Sequence, residues 1–162
     1  MRPTVLTRVA LLALALTATA VTGCATHYIP NTDVEDNSEN RKIIAFCEKY
    51  RHAVEQKNIG ELLHLASPKY YEDGGNVDAS DDIDYAGLRD YLTNKFITAT
   101  AIRYEIRYRR VVRENDIIHV DYTYSASYRI PGSKGLEWRR KVDDNRLDLV
   151  PYQDEFRILD GM

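Results

Sequence analysis

The sequence has no excess of basic residues, no zinc-ligand spacing and no internal repeat. Its 22 lysines and arginines against 25 aspartates and glutamates give a formal net charge of −3, so it lacks the basic footprint of a nucleic-acid-binding protein. Its histidines and cysteines do not follow the spacing of a zinc site, and we predict neither a metal nor a cofactor. With 162 residues and no second linker, the folded part is predicted to be one domain.

Aromatic residues other than tyrosine are also scarce. There are three phenylalanines and one tryptophan, against twelve tyrosines. A buried tyrosine contributes apolar area but needs a hydrogen-bond partner for its hydroxyl. A tyrosine-rich face therefore suits a partly wet surface, such as the wall of a pocket or an interface.

Residues 1–23 are predicted to be an export signal rather than part of the fold. Arg2 and Arg8 precede the apolar run from Val9 to Val21, which ends in small residues before Cys24. The run is too short and too rich in alanine and threonine for a transmembrane helix, which needs roughly 20 apolar residues. By itself this pattern also fits an ordinary secretory signal with a chance cysteine.

The tetrapeptide Val21-Thr22-Gly23-Cys24 resembles the bacterial lipoprotein signal, in which the cysteine becomes the first residue and is lipidated. The resemblance implies that Cys24 carries acyl chains, palmitate among them, that hold the protein to a membrane of the cell envelope. An aspartate after the cysteine would imply retention in the inner membrane. Ala25 stands there instead, which implies the outer membrane with the domain facing the periplasm.

Residues 24–40 are polar and acidic and show no period, so we predict a lipidated tether ahead of a single domain at residues 41–162. Cys47 is then the one remaining thiol, and it has no partner for an intramolecular disulfide. Its place on the apolar face of a helix predicts a small buried hydrophobe.

Three segments have helical spacing. The first carries Tyr50 on an apolar stripe and ends near Lys57, with Asp36 or Ser38 as its cap. Asn58, followed by Glu61, caps a short second helix. The third helix begins near Asp84, after an acidic loop that lacks the glycine and glutamate of a calcium-binding EF-hand.

The stretch from Ile102 to Ile130 alternates apolar and polar residues, which predicts a β-hairpin broken at residues 114–116. Its tyrosines share one face, and His119 and Asp121 share the other face with the arginines. We expect ion pairs between strands on that polar face. A further strand near residues 138–142 is predicted to be interrupted at 143–145 by a turn or bulge, and two more strands close the chain.

Helices followed by antiparallel strands predict an α+β fold, with the helices on one face of a curved sheet. The opening helix pair, the long strands after the third helix and the ending RLDLVPYQDEFRILDGM resemble the nuclear-transport-factor-2-like (NTF2-like) superfamily, also called SnoaL-like. The resemblance implies a cone of three helices on a curved sheet, with a pocket between the concave face and the first helix. Some members of the superfamily are isomerases, cyclases or dehydratases, and others bind ligands or dimerise through the sheet.

We expect the tyrosine face to contact a ligand, and we assign no catalytic residue. An enzyme acting on a small apolar carbonyl compound needs a buried carboxylate base, and only Glu72 or Asp73 is expected near the mouth of the pocket. His64 is expected to be a core or rim residue of the second helix rather than a base. We therefore predict a non-catalytic domain for a small ligand or protein partner. The alternatives are a ketosteroid-isomerase-like enzyme and a module that forms homodimers through the sheet. The predicted ligand-binding residues are Tyr50, Tyr104, Tyr108, Tyr122, Tyr124, Tyr128 and Trp138.

Overall fold

The computed structural model describes residues 26–74, 77–133 and 135–162, so the predicted signal and Cys24 lie outside the described residues. Within them the fold is α+β, as predicted, with three helices on a curved antiparallel sheet. No helix in this part of the chain combines the length and apolar character needed to cross a membrane. The elements are α1 (Ser38–Glu55), α2 (Ile59–Leu65), β1 (Tyr71–Glu72), β2 (Ile83–Asp84), α3 (Tyr85–Ile97), β3 (Ala101–Glu114), β4 (Ile117–Gly132), β5 (Gly135–Tyr152) and β6 (Glu155–Asp160).

Side-chain oxygens cap the three helices. Asn58 Oδ1 accepts the Glu61 N–H at the start of α2, as predicted. Asp84 Oδ1 accepts the Gly87 N–H at the start of α3, and this helix begins where the sequence predicted it. The cap of α1 is Asn37, whose side chain accepts two backbone N–H groups, and not Asp36 or Ser38. Each cap fixes where a helix begins, and the spacing of its apolar side chains decides which face meets the sheet.

Strands β3 to β6 form one antiparallel sheet in sequence order, and β1 pairs with β2 in a separate two-stranded sheet. The β3–β4 hairpin turns at Asn115, whose φ is 56°, inside the predicted break. Tyr108 lies opposite Tyr122 and Tyr104 opposite Ala126, so these side chains share the face that packs on the helices. This inner face supplies the sheet's contribution to the hydrophobic core.

The predicted interruption of the strand at 143–145 is wrong, because β5 runs without a break from Gly135 to Tyr152. Asp143, Asp144 and Asn145 pair in register with β4. Their polar groups find partners on the sheet: Asp144 accepts a 2.6 Å hydrogen bond from the Thr123 hydroxyl, and Asn145 donates one to the hydroxyl of Tyr122. A polar run therefore continues the strand here instead of ending it.

Residues 26–37, predicted to be part of a tether, pack against the domain. Val34 is only 2% exposed and belongs to the core, and a bridge joins Tyr28 to Glu35. Asp33 pairs with Arg107 at 2.6 Å and with Arg109 at 2.9 Å on the outer face of the sheet. Hydrogen bonds from these two guanidinium groups lower the pKa of Asp33 to about 2.

Candidate ligand-binding site

Two adjoining cavities lie between the inner face of the sheet and the helices. The first, called here the central cavity, has a volume of about 300 Å³ and extends from α1 to β1 and Met162. The second, the rim cavity, has a volume of about 350 Å³ and extends along the ends of α3 and β4. Both volumes reach the lower end of the range for small-molecule sites. The two cavities share Val54, Lys95, Phe96, Tyr104, Tyr124 and Lys141 as lining residues.

Three tyrosine hydroxyls form a cluster at the wall of the central cavity: Tyr50 and Tyr104 line the cavity, and Tyr122 lies behind them. The hydroxyls of Tyr50, Tyr104 and Tyr122 interact with one another, and Asn145 Nδ2 donates to the Tyr122 hydroxyl at 3.1 Å. Burial raises the pKa of all three phenols above the ordinary value. They therefore stay protonated at neutral pH and remain hydrogen-bond donors.

The second amide contact of Asn145 fixes its orientation, since Nδ2 also donates to the carbonyl of Gly161 at 3.2 Å. Gly161 has a φ of +93°, and a Cβ there would meet the Arg146 carbonyl oxygen at 1.8 Å. Only glycine fits at this close approach. The residue directly after β6 thus holds the amide that supports the tyrosine cluster.

The seven predicted contact residues do not all reach the cavities. Tyr50, Tyr104 and Tyr124 line the central cavity, and Tyr128 lines the rim cavity. Tyr122 is 1% exposed and supports the wall from behind. The other two, Tyr108 and Trp138, lie elsewhere.

Tyr108 faces a separate groove beside the N-terminal segment, where its hydroxyl donates to Glu48 Oε1 at 2.8 Å. Trp138 lies on the outer face of the sheet, opposite Arg129 in the register and 46% exposed. The guanidinium groups of Arg103 and Arg129 lie 4.9 and 6.0 Å from the centre of its ring. Strand alternation explains why Trp138 faces outward. Even-numbered residues of β4 face inward, but each pairs with an odd-numbered residue of β5, so the even-numbered residues of β5 face outward.

The same alternation shows what the sequence prediction missed. On β5, residues opposite the inward-facing residues of β4 must also face inward. This brings Lys141, opposite Ala126, and Asn145, opposite Tyr122, to the cavities. Tyr91, Lys95 and Met162 complete this group of lining residues. Lys95 follows Tyr91 by four residues on α3 and therefore lies on the same face of the helix. This spacing was the sequence signal that could have placed Lys95 at the pocket.

Glu72 is the carboxylate in the wall of the central cavity, as expected for a residue near the mouth. It accepts a 2.6 Å hydrogen bond from the hydroxyl of Tyr70. The Tyr70 hydroxyl accepts in turn from the backbone N–H of Met162 at 3.3 Å. Asp73, the other carboxylate expected at the mouth, is not among the residues that line either cavity.

His119 and Asp121 face outward, as predicted, and do not form a pair with each other. His119 Nδ1 lies 2.6 Å from Asp148 Oδ1, and Asp121 bridges Arg110 and Arg146 at 2.8 and 2.7 Å. These pairs are the expected cross-strand pattern of a solvated sheet face. No histidine lines the two cavities among the described residues, and their His, Cys, Asp and Glu side chains form no cluster able to hold a metal ion.

No protein-family model and no curated protein sequence matches the chain. Solved structures do match. A candidate dehydratase of the NTF2-like family from Streptomyces avermitilis superposes with a TM-score of 0.64 at 9% identity, over 78% of this chain and 95% of that one. A candidate calcium/calmodulin-dependent protein kinase II association domain from Xanthomonas campestris gives 0.62 at 13% identity, over 84% and 90%. A candidate scytalone dehydratase from Novosphingobium aromaticivorans gives 0.60 at 10%, over 76% and 80%. At these identities the likeness extends to the fold alone, and the fold of this chain is that of the NTF2-like proteins.

Proposed function

We propose that this protein is a membrane-anchored lipoprotein of the cell envelope whose domain binds a small molecule without transforming it. The observation that carries the proposal is the pair of adjoining cavities under the tyrosine face. Their walls combine aromatic and aliphatic side chains with a few fixed hydroxyl and amide groups, which is the usual composition of a ligand pocket. A cone packed solid would leave no room for a ligand.

The lining residues favour binding over catalysis. Among those described, Glu72 is the single carboxylate, and the Tyr70 hydroxyl already donates to it. Burial raises the pKa of the phenols of Tyr50 and Tyr104, so they act as donors at neutral pH and not as bases. Such donors orient a ligand, and the one carboxylate beside them is already engaged by Tyr70.

The test uses a substitution that fills the rim cavity. It measures, by fluorescence, the binding of a neutral aromatic probe, phenylnaphthylamine. Ala126 lines this cavity, so Ala126→Phe is expected to weaken probe binding at least about tenfold. Ala45→Phe adds the same ring on the exposed side of α1 and is expected to leave binding unchanged. Equal binding by the wild type and both variants would show that the probe does not enter the cavity and would contradict the proposal.

Membrane attachment through Cys24 is a separate part of the proposal, supported by the sequence around that residue. Cells are fed an alkyne analogue of palmitate, and the outer and inner membrane fractions are separated. The wild-type protein is expected to carry the label in the outer membrane fraction, and Cys24→Ala to lose both label and attachment. Label that persists in the variant would overturn the assignment.

Glu72 gives an enzymatic alternative a specific basis, because it brings a carboxylate to the same cavity as the Tyr104 phenol. Two of the matching structures are named as candidate dehydratases. An enzyme acting on a small apolar carbonyl compound would exchange the hydrogens next to that carbonyl with deuterated water. Exchange catalysed by the wild type and lost in Glu72→Gln, measured by NMR on a set of cyclic ketones, would replace the binding proposal with this one.

Homodimerisation through the sheet is the third possibility that the structure gives reason to test. Leu136, Trp138 and Val142 lie on the outer face of β5 with about half of each side chain exposed. Light scattering across a range of protein concentrations gives the oligomeric state directly. A dimer that dissociates in the Leu136→Lys/Val142→Lys double variant would assign the outer face to this role.

A further inference from the structure

We infer that the rim cavity takes a small organic monoanion, with its acid group at Lys95 and Lys141 and its apolar body against the tyrosines. The inference rests on the proposed binding function and specifies its ligand. Lys95 and Lys141 are the only charged residues among the described lining of the rim cavity. The remaining lining residues are apolar, aromatic or hydroxyl-bearing: Val54, Phe96, Thr98, Ala99, Ile102, Tyr104, Tyr124, Ala126 and Tyr128.

Lys95 is free to meet an anion. In the described part of the chain, no carboxylate oxygen lies within ion-pair distance of its ammonium group, which instead lies 5.0 Å from the centre of the Tyr91 ring. The side chain is exposed at the end of α3. An ammonium ion at the mouth of an apolar cavity attracts an acid group that enters with its apolar part first.

Lys141 lies across the same mouth from β5. Its ammonium group pairs with Asp143 at 3.0 Å and lies 5.6 Å from the centre of the Tyr124 ring. Both partners of the ion pair are more than half exposed, so water screens the pair, and it does not hold Lys141 away from a ligand. Hydrogen bonds with Tyr124 and Asp143 raise the pKa of Lys141, which therefore stays charged at neutral pH.

The charge inside the central cavity sets the number of acid groups that the ligand can carry. Glu72 lines that cavity and not the rim cavity. Lys95 and Lys141 line both cavities, so a second acid group reaching inward would find no further lysine and would approach this carboxylate, which is unfavourable in a partly desolvated site. A neutral hydroxyl or carbonyl is better matched there, since the Tyr104 phenol and the Asn145 amide line the same space.

The test compares two fluorescent probes with the same naphthylamine skeleton, using the purified full chain. Anilinonaphthalene sulfonate carries one negative charge, and phenylnaphthylamine carries none. Lys95→Gln/Lys141→Gln is expected to weaken sulfonate binding roughly threefold to tenfold, as two partly exposed ion pairs predict, and to leave the neutral probe within about twofold. Lys42→Gln removes an exposed lysine of α1 that lines neither cavity, and it is expected to change neither affinity.

Salt and competition complete the test. Added salt is expected to weaken sulfonate binding in the wild type and to have little effect in the double variant. Naphthoate, a soluble acid, is expected to displace the sulfonate probe. Displacement by phosphatidylglycerol vesicles alone would show that the anion belongs to a membrane surface and would contradict the inference. An unchanged sulfonate affinity in the double lysine variant, with the neutral probe still bound, would overturn the inference and leave the proposed function standing. Failure of both probes to bind would overturn both.

Discussion

At the scale of single residues, the tyrosine cluster depends on one buried hydrogen bond. The Tyr122 hydroxyl accepts from Asn145 Nδ2 and interacts with the hydroxyls of Tyr50 and Tyr104. In the described residues, every buried side-chain nitrogen or oxygen has a hydrogen-bond partner. Removing one hydroxyl therefore leaves a partner unsatisfied in a place that water reaches poorly.

Tyr122→Phe is expected to lower the free energy of unfolding by about 1 to 2 kcal/mol, because it removes that hydroxyl while keeping the ring. Urea titration followed by circular dichroism measures the change. Tyr124→Phe is the matched control, since Tyr124 is only half-buried and its loss is expected within about 0.5 kcal/mol. Equal losses in the two variants would show that the cluster contributes nothing beyond ordinary tyrosine burial.

Asp160 predicts a pH effect on stability. Burial, together with the nearby carboxylates of Glu72, Asp148 and Asp73, raises its pKa from 3.8 to about 6. Because the pKa in the folded state is raised, the contribution to stability is complete below pH 3.8 and is lost as the pH rises through about 6. Asp160→Asn is expected to stabilise the protein at pH 7 by on the order of 1 kcal/mol, a value reduced for the partial exposure of the group. Thermal unfolding at pH 7 and at pH 4 tests this, and a gain of equal size at both values would contradict the assignment.

At the scale of elements, the hairpin and helix caps are the part that the sequence predicts best. Alternation over residues 102–130 identifies the inner tyrosines, and Asn58 and Asp84 mark the starts of two helices. The continuity of β5 was not predictable from local polarity, because Asp144 and Asn145 are satisfied by β4 residues some twenty positions earlier. Cavity lining by Lys141 has the same cause, since only the register between β4 and β5 reveals it.

The docking of residues 26–37 was missed because it depends on contacts with distant parts of the chain, namely the burial of Val34 and the pairing of Asp33 with Arg107 and Arg109. Val34→Ala is expected to destabilise the domain by about 2 kcal/mol, since it deletes two buried methyl groups and leaves a cavity. Tyr28→Ala, at a position that is 56% exposed in the same segment, is expected within about 0.5 kcal/mol. Chemical denaturation measures both. A neutral Val34→Ala would mean that the segment behaves as a free tether after all.

At the scale of the whole molecule, Cys47 reports on global unfolding. It is completely buried in α1, and burial raises the pKa of its thiol, so the folded protein offers no reactive thiolate. In a Cys24→Ser chain it is the one thiol. Its reaction with a thiol reagent is expected to be at least about a thousandfold slower than in denaturant, in proportion to the unfolded fraction. A much faster reaction, insensitive to destabilising substitutions, would reveal local opening of α1.

The bulge in β3 determines which single-residue deletions the sheet can accept. Arg109 is the extra residue between Tyr108, opposite Tyr122, and Arg110, opposite Asp121. Without Arg109, Tyr108 would still face the helices and Arg110 would still face solvent, because regular alternation would be restored. Deleting Arg107 instead would place Tyr108 opposite Thr123 on the outer face and would bury Arg109 opposite Tyr122 in the position that Tyr108 now fills. We expect the chain lacking Arg109 to fold with a modest loss of stability and the chain lacking Arg107 not to fold, so length variation in this strand is confined to the position of the bulge.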